Sequence, residues 1–169
     1  ELAAFFGMAQ PSDFALGGVS AVAPELRGML AEVPALAGQT VQYSGPVEWS
    51  YRRFILHYAT LCAAMGGVEA FCIGSEMRGL TQVRGAGGSF PAVAAMIQLA
   101  ADVRAILGPE CKISYAADWS EYFGYHPQDG SGDVLFHLDP LWADANIDFI
   151  GIDNYMPLSD WREGADHAD

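Results

Sequence analysis

Basic residues are scarce. Eight Lys and Arg stand against 21 Asp and Glu, for a formal charge of −13. Over most of such a surface a phosphate backbone would be repelled, which argues against nucleic acid as a partner, and anionic lipid would exert no pull. Cysteine is scarcer still. Cys62, Cys72 and Cys111 are odd in number, widely spaced and without a CxxC pair. A full disulfide framework is thereby excluded, and the three read as buried, reduced thiols. Apolar stretches are too short, or too interrupted by Gly and charge, to cross a bilayer. The start, Glu1-Leu2-Ala3-Ala4-Phe5-Phe6-Gly7, has neither an initiator Met nor the basic start and apolar run of a secretion signal. Together with the trailing Asp160-Trp161-Arg162-Glu163-Gly164, it predicts a piece of a longer protein.

What is present is an alternation of strand-like and helix-like segments. Residues 1–40, rich in Ala, Gly and Pro, read as a loop excursion with one small helix from Pro24 to about Val33. Val41-Gln42-Tyr43-Ser44 before Gly45-Pro46 reads as a short extended piece ending in a turn. From Ser50, apolar residues Tyr51, Phe54, Ile55, Tyr58, Leu61, Cys62 and Met65 recur at helical steps until Gly66-Gly67 stops them. Val68 to Gly74 is then a nearly continuous apolar run, as expected of a strand buried on both faces of a parallel sheet.

A second helix is predicted with Ser89 as its cap, Pro91 in its first turn, and Val93, Met96, Ile97, Ala100, Val103 and Leu107 on one face. Lys112–Ala117 is the next strand, Leu138–Asp144 a short helix, and Ile147–Ile152 another buried strand. Helices between apolar strands imply an α/β fold with parallel crossovers. Residues 41–169 therefore read as successive βα units of one domain that takes in residues 1–169.

Three of these strands run into polar residues: Ser75-Glu76, Asp118-Trp119 and Asp153-Asn154-Tyr155. In a parallel α/β sheet such ends share one face, where sites are built. Glycosidic hydrolysis needs two carboxyl groups, and aromatic rings supply flat platforms for sugars. Glu76 is the candidate proton donor, since Phe71, Cys72 and Ile73 before it suggest a partly dry setting that would raise its pKa. The plainer reading is a capping or rim carboxylate. Asp118 divides evenly between a cap and a substrate contact, whereas Asp153 precedes further hydrogen-bonding groups at the rim. Trp119, Tyr122 and Tyr155 are the candidate platforms.

Other chemistries find little support. His57 falls inside a helix, and His126, His137 and His167 fall in loops without metal-ligand spacing. Asp129-Gly130-Ser131-Gly132-Asp133 reads as a solvated turn, because no Glu follows at the twelfth position of a calcium loop. No Gly-x-Ser-x-Gly occurs, and Gly85-Ala86-Gly87-Gly88 lacks the third glycine of a dinucleotide fingerprint. Neither a metal nor a cofactor is implied.

Four blocks carry a resemblance. They are Tyr43-Ser44-Gly45-Pro46 with Glu48-Trp49-Ser50-Tyr51-Arg52-Arg53-Phe54; Phe71 through Leu80, FCIGSEMRGL; Tyr115 through Tyr122, YAADWSEY; and Gly151 through Trp161, GIDNYMPLSDW. They resemble the glycosidase-like TIM-barrel domain of the baseplate, or host-specificity, protein of gene transfer agents and related tailed phages. The resemblance implies a (β/α)8 barrel, present as about strands 3 to 6, since 169 residues fall short of the roughly 250 of a closed barrel. It implies that Ser75-Glu76 ends the fourth strand, with Glu76 as acid/base, and that Asp118 and Asp153 end the fifth and sixth. The nucleophile, at the end of the seventh, would lie beyond this chain.

The expected function is therefore cleavage of a host cell-surface or cell-wall glycan by a tail particle assembled in the bacterial cytoplasm. Glu76 would be catalytic, and Asp118, Trp119, Asp153, Asn154 and Tyr155 would bind substrate. Other tail proteins are the expected partners. The alternatives are a noncatalytic structural or sugar-gripping barrel in the same particle, and a free metabolic glycosidase.

Overall fold

A computed structural model describes residues 2–17 and 40–155. Helix α1 (Leu2–Phe6) leads through a 3-10 turn at Pro11–Asp13 into β1 (Phe14–Gly17). Strand β2 (Thr40–Tyr43) pairs antiparallel with β1, Phe14 opposite Tyr43 and Gly17 opposite Thr40. This ribbon replaces part of the loop read from the first forty residues, and the helix expected from Pro24 to Val33 lies outside the described residues.

Helix α2 (Tyr51–Ala64) starts where the Ser50 hydroxyl accepts the Arg53 N–H, filling one of the unpaired donors of a helix start. It buries Arg52, Ile55, Leu56 and Ala59 and gives way to Gly66 and Gly67 at φ 96° and 93°. Strand β3 (Ala70–Ser75) follows, then a one-turn helix α3 (Arg78–Thr81). Helix α4 (Pro91–Leu107) has Pro in its first turn, but its N-cap is Phe90. Ser89, expected as the cap, instead donates its hydroxyl to the Ala86 carbonyl in the preceding turn. Strand β4 (Lys112–Asp118), the short helix α5 (Asp139–Trp142) and strand β5 (Gly151–Asp153) complete the described chain.

Strands β3, β4 and β5 form a parallel sheet in sequence order. Leu56 and Ala59 of α2, Met96, Leu99 and Val103 of α4, and Ile73, Ile113 and Tyr115 of the sheet are fully buried in one core. A buried ion pair joins the two long helices, Arg52 to Asp102. Arg52 also donates to the Ala9 carbonyl, so one guanidinium ties the N-terminal segment to both helices.

The expectation of strands buried on both faces holds best for β4, which has a neighbour on each side. Strand β3 buries only Ile73 and Gly74, and Phe149, Ile150 and Ile152 remain 43%, 59% and 38% exposed. The thiols divide likewise: Cys111 is buried, Cys62 is partly exposed and Cys72 is exposed, which corrects the reading of three buried cysteines.

The run Ile147–Ile152 pairs regularly only from Gly151, where an added Cβ would stand 2.7 Å from the Tyr115 carbonyl oxygen. Before that point one backbone bond, from the Asp148 N–H to the Ile113 carbonyl at 2.8 Å, is joined by side-chain bonds. Asp148 accepts the Ile113 N–H at 2.7 Å and the Arg104 guanidinium, while Ser114 donates to the Phe149 carbonyl at 2.6 Å. The Ile113 N–H and then Arg104 hold the Asp148 carboxyl below its ordinary value of 3.8. A depressed native pKa stabilises the fold above the unfolded value and ceases to do so as pH falls through the native one. Asp148→Asn should therefore flatten the loss of stability on acidification below about pH 4, measured by denaturant unfolding across that range.

Candidate functional site

The register brings the polar strand ends together. Asp118 of β4 lies opposite Asp153 of β5, and Ser75 of β3 lies opposite Ala116, itself opposite Gly151. With a side-chain period of two, Ser75, Ala116, Asp118, Gly151 and Asp153 share one sheet face. Ala116 and Gly151 are small, and the Ser75 hydroxyl reaches past them to donate to Asp153 Oδ2 at 2.7 Å. This contact closes the top of the sheet across its middle strand.

Glu76 follows directly, its N–H bound to the Ala116 carbonyl at 2.8 Å. Its φ of 54° makes it the only non-glycine residue in the left-handed region among the described residues. Such a conformation costs on the order of 1–3 kcal/mol, and strain of this kind clusters where a side chain must be aimed. The dry setting expected from Phe71, Cys72 and Ile73 is absent. Glu76 is exposed, because that run lies in the strand and the strand ends before the glutamate.

Tyr155 lies against it: a hydrogen bond to Glu76 and that carboxylate's charge push the phenol pKa up, with smaller pushes from burial, Asp153 and Asp118. Glu76→Gly should raise stability by about 1 kcal/mol, because glycine adopts this backbone without strain. Thermal unfolding would read it. A loss of stability would mean that Glu76 side-chain contacts outweigh the strain.

Asp118 caps the 3-10 turn Trp119–Glu121, with Oδ1 accepting the Ser120 N–H at 2.9 Å and also the Ser120 hydroxyl. Those two bonds hold its carboxyl below the usual range. Trp119 is 38% exposed and packs edge-on to Phe123 at 6.2 Å. Asn154 and Tyr155 are exposed beyond β5. Beside the turn, Arg78, Ser120, Phe123, Tyr125 and His126 line a hollow of about 450 Å³, within the roughly 300–1,000 Å³ of small-ligand sites. A separate groove of about 520 Å³, lined by Tyr43, Trp49, Arg53 and Tyr58, lies on β2 and α2 and contains none of the strand-end carboxylates.

Beneath the rim sits a group that the sequence reading passed over. Glu121, 2% exposed, accepts the Tyr115 hydroxyl at 3.0 Å, the Asp118 N–H at 2.9 Å and the Thr81 hydroxyl at 2.6 Å. His137, expected as an ordinary loop residue, is 2% exposed, with Nε2 3.2 Å from the Thr81 hydroxyl oxygen. The available signal was the spacing Asp118-x-x-Glu121, an acidic capping box. By contrast, His126 is exposed and His57 half-buried, while His167 lies outside the described residues. Asp129 and Asp133 are exposed and hydrogen-bonded within their own turn.

Chemically, the rim offers an aimed, exposed carboxylate, two more carboxylates on adjacent strands and exposed aromatic faces. That set suits proton transfer and contact with a polyhydroxylated ligand. No curated protein matches the chain. The family model described as the GTA TIM-barrel-like domain matches residues 49–169, well over half of the sequence and all three of these strand ends, so the chain belongs to the gene transfer agent TIM-barrel-like family.

Proposed function

We propose that this gene transfer agent barrel hydrolyses a glycan of the host cell surface or wall, with Glu76 as the general acid/base. The observation that carries the reading is the strained, outward-aimed Glu76 at the end of β3, facing Tyr155 beside Asp153. In this reading β3, β4 and β5 are the fourth to sixth strands of an eightfold barrel in the tail baseplate, beside other tail proteins. A carboxylate on the seventh strand is the nucleophile.

Protonated Glu76 gives its proton to the glycosidic oxygen as the anomeric carbon–oxygen bond breaks and the nucleophile bonds to that carbon. Glu76, now a carboxylate, takes a proton from water, which displaces the nucleophile and yields the free sugar. Trp119, Tyr122 and Tyr155 offer faces to the sugar rings, and Asp118, Asp153 and Asn154 offer polar contacts.

A second reading is a barrel that grips sugar without cleaving it, for which the exposed rings of Trp119, Tyr122 and Tyr155 offer faces. Family membership lends no support to a free metabolic glycosidase. Reducing ends released from host wall by the full-length protein separate the two readings. Accumulation over time supports the hydrolase, and saturable binding without release supports the gripping barrel.

A further inference from the structure

The buried carboxylate of Glu121 has a defined direction to its hydrogen bonds. The Met77 N–H donates to the Tyr115 hydroxyl oxygen at 2.7 Å, and that hydroxyl donates to Glu121 Oε2 at 3.0 Å. The same oxygen accepts the Asp118 N–H, and Oε1 accepts the Thr81 hydroxyl. Burial and then the Glu121 charge push the Tyr115 phenol pKa far up, so this hydroxyl keeps its proton and remains a donor. The Tyr115 hydroxyl and the Asp118 N–H both reach Glu121 Oε2 as donors, a place suited to a side-chain oxygen that accepts, while the Thr81 hydroxyl lies between Oε1 and the Arg78 carbonyl. Among the described residues it has no ion-pair partner, so its partners are these hydrogen bonds. A buried charge unsatisfied by such bonds would be costly.

Met77 is the next residue after Glu76, and among the described residues Glu76 is the one non-glycine position with a left-handed backbone. A left-handed residue stays in place only where its surroundings over-determine it. On the near side the Glu76 N–H is fixed to Ala116; on the far side the Met77 N–H is fixed to Tyr115, and through it to Glu121. We infer that Glu121 is the positioning residue for Glu76, holding the strained end of β3 in register with the end of β4 through the Tyr115 hydroxyl.

This role rests on Glu76 being the working carboxylate of the rim, but its test needs no turnover. Tyr155 reports on Glu76 directly, because the carboxylate's hydrogen bond and charge raise its pKa. In the full-length protein with tyrosine labelled at Cζ, the Tyr155 titration is followed by carbon NMR in Glu121→Gln, Tyr115→Phe and Thr81→Val. Glutamine turns one acceptor into a donor that faces donors, and phenylalanine removes the link to Met77. Valine removes the partner of Oε1 and leaves the link to Met77 intact.

Tyr155 should titrate closer to its ordinary value of about 10 in the first two variants and stay raised in the third, although all three lose stability. A Tyr155 that stays raised in Glu121→Gln and Tyr115→Phe would overturn the inference. So would one that falls equally in all three, which would mark general loosening. Where Glu121→Gln fails to fold, Tyr115→Phe against Thr81→Val decides alone. If the protein hydrolyses wall glycan, Glu121→Gln should lower kcat and leave KM near its original value, since Glu121 reaches Glu76's backbone neighbour only through the Tyr115 hydroxyl.

Discussion

Full-length protein carrying Glu76→Gln should lose roughly 10²- to 10⁴-fold of its wall-glycan release, the range that a positioned general acid or base contributes. Glutamine keeps the size of the side chain and can still hydrogen-bond the Tyr155 hydroxyl, but it has no acidic proton for the departing oxygen and cannot deprotonate water. Sugar binding should persist, because the aromatic faces of Trp119, Tyr122 and Tyr155 are untouched. The effect should therefore fall on kcat with little change in KM, the pattern of an interaction made in the transition state alone. The left-handed backbone at this position sharpens the comparison. Glutamine pays the same strain as glutamate, so equal unfolding midpoints for the two proteins would assign the whole loss to chemistry.

The largest effect on stability is expected at Arg52. Its head is buried, it pairs with Asp102 across α2 and α4, and it donates to the Ala9 carbonyl. Arg52→Ala leaves the Asp102 carboxylate in the core without its cation, and its remaining side-chain partner, the Gln98 amide, is a 3.3 Å contact. Breaking one side of a buried pair costs roughly 3–5 kcal/mol, mostly for the charge left behind. Denaturant unfolding of the full-length protein reads this directly. The double variant Arg52→Met with Asp102→Leu should recover most of the loss, because apolar groups of similar size need no compensation in that site. If the double variant is no more stable than Arg52→Ala, the bond to the Ala9 carbonyl and the packing of the arginine stem dominate instead.

How much of this was legible in advance depends on the range of the interactions. Helices α2 and α4 are visible in the sequence because their apolar positions recur with the helical period, and their stops are glycines at positive φ. The polar strand ends are equally visible, since an apolar run that meets Glu76, Asp118 or Asp153 needs no partner to be seen. The pairing of β1 with β2 was not visible: its partners lie on either side of a long Ala-, Gly- and Pro-rich segment, and four-residue strands carry too little pattern to show a register.

Ser89 looked like a cap because capping is a local rule, but the helix begins one residue later, with Phe90 at the N-cap, and the Ser89 hydroxyl donates within its own turn. Glu76 looked dry because the residues preceding it are apolar, whereas exposure depends on what packs over the rim. For Glu121 the local sign, Asp118-x-x-Glu121, was present, yet its meaning comes from Tyr115 and Thr81, which reach it from β4 and α3. His137 belongs to the same case: a loop position in sequence, it is buried against Thr81 in space.

In the proposed mechanism Glu76 works as an acid/base with a second carboxylate supplied by the seventh barrel strand. The most direct test is the anomeric configuration of the first sugar that the full-length protein releases from wall fragments, read by proton NMR before the anomers equilibrate. Net retention is predicted, as for two carboxyl groups about 5–5.5 Å apart with a glycosyl-enzyme between them. Inversion, or saturable binding that yields no new anomer, would contradict it.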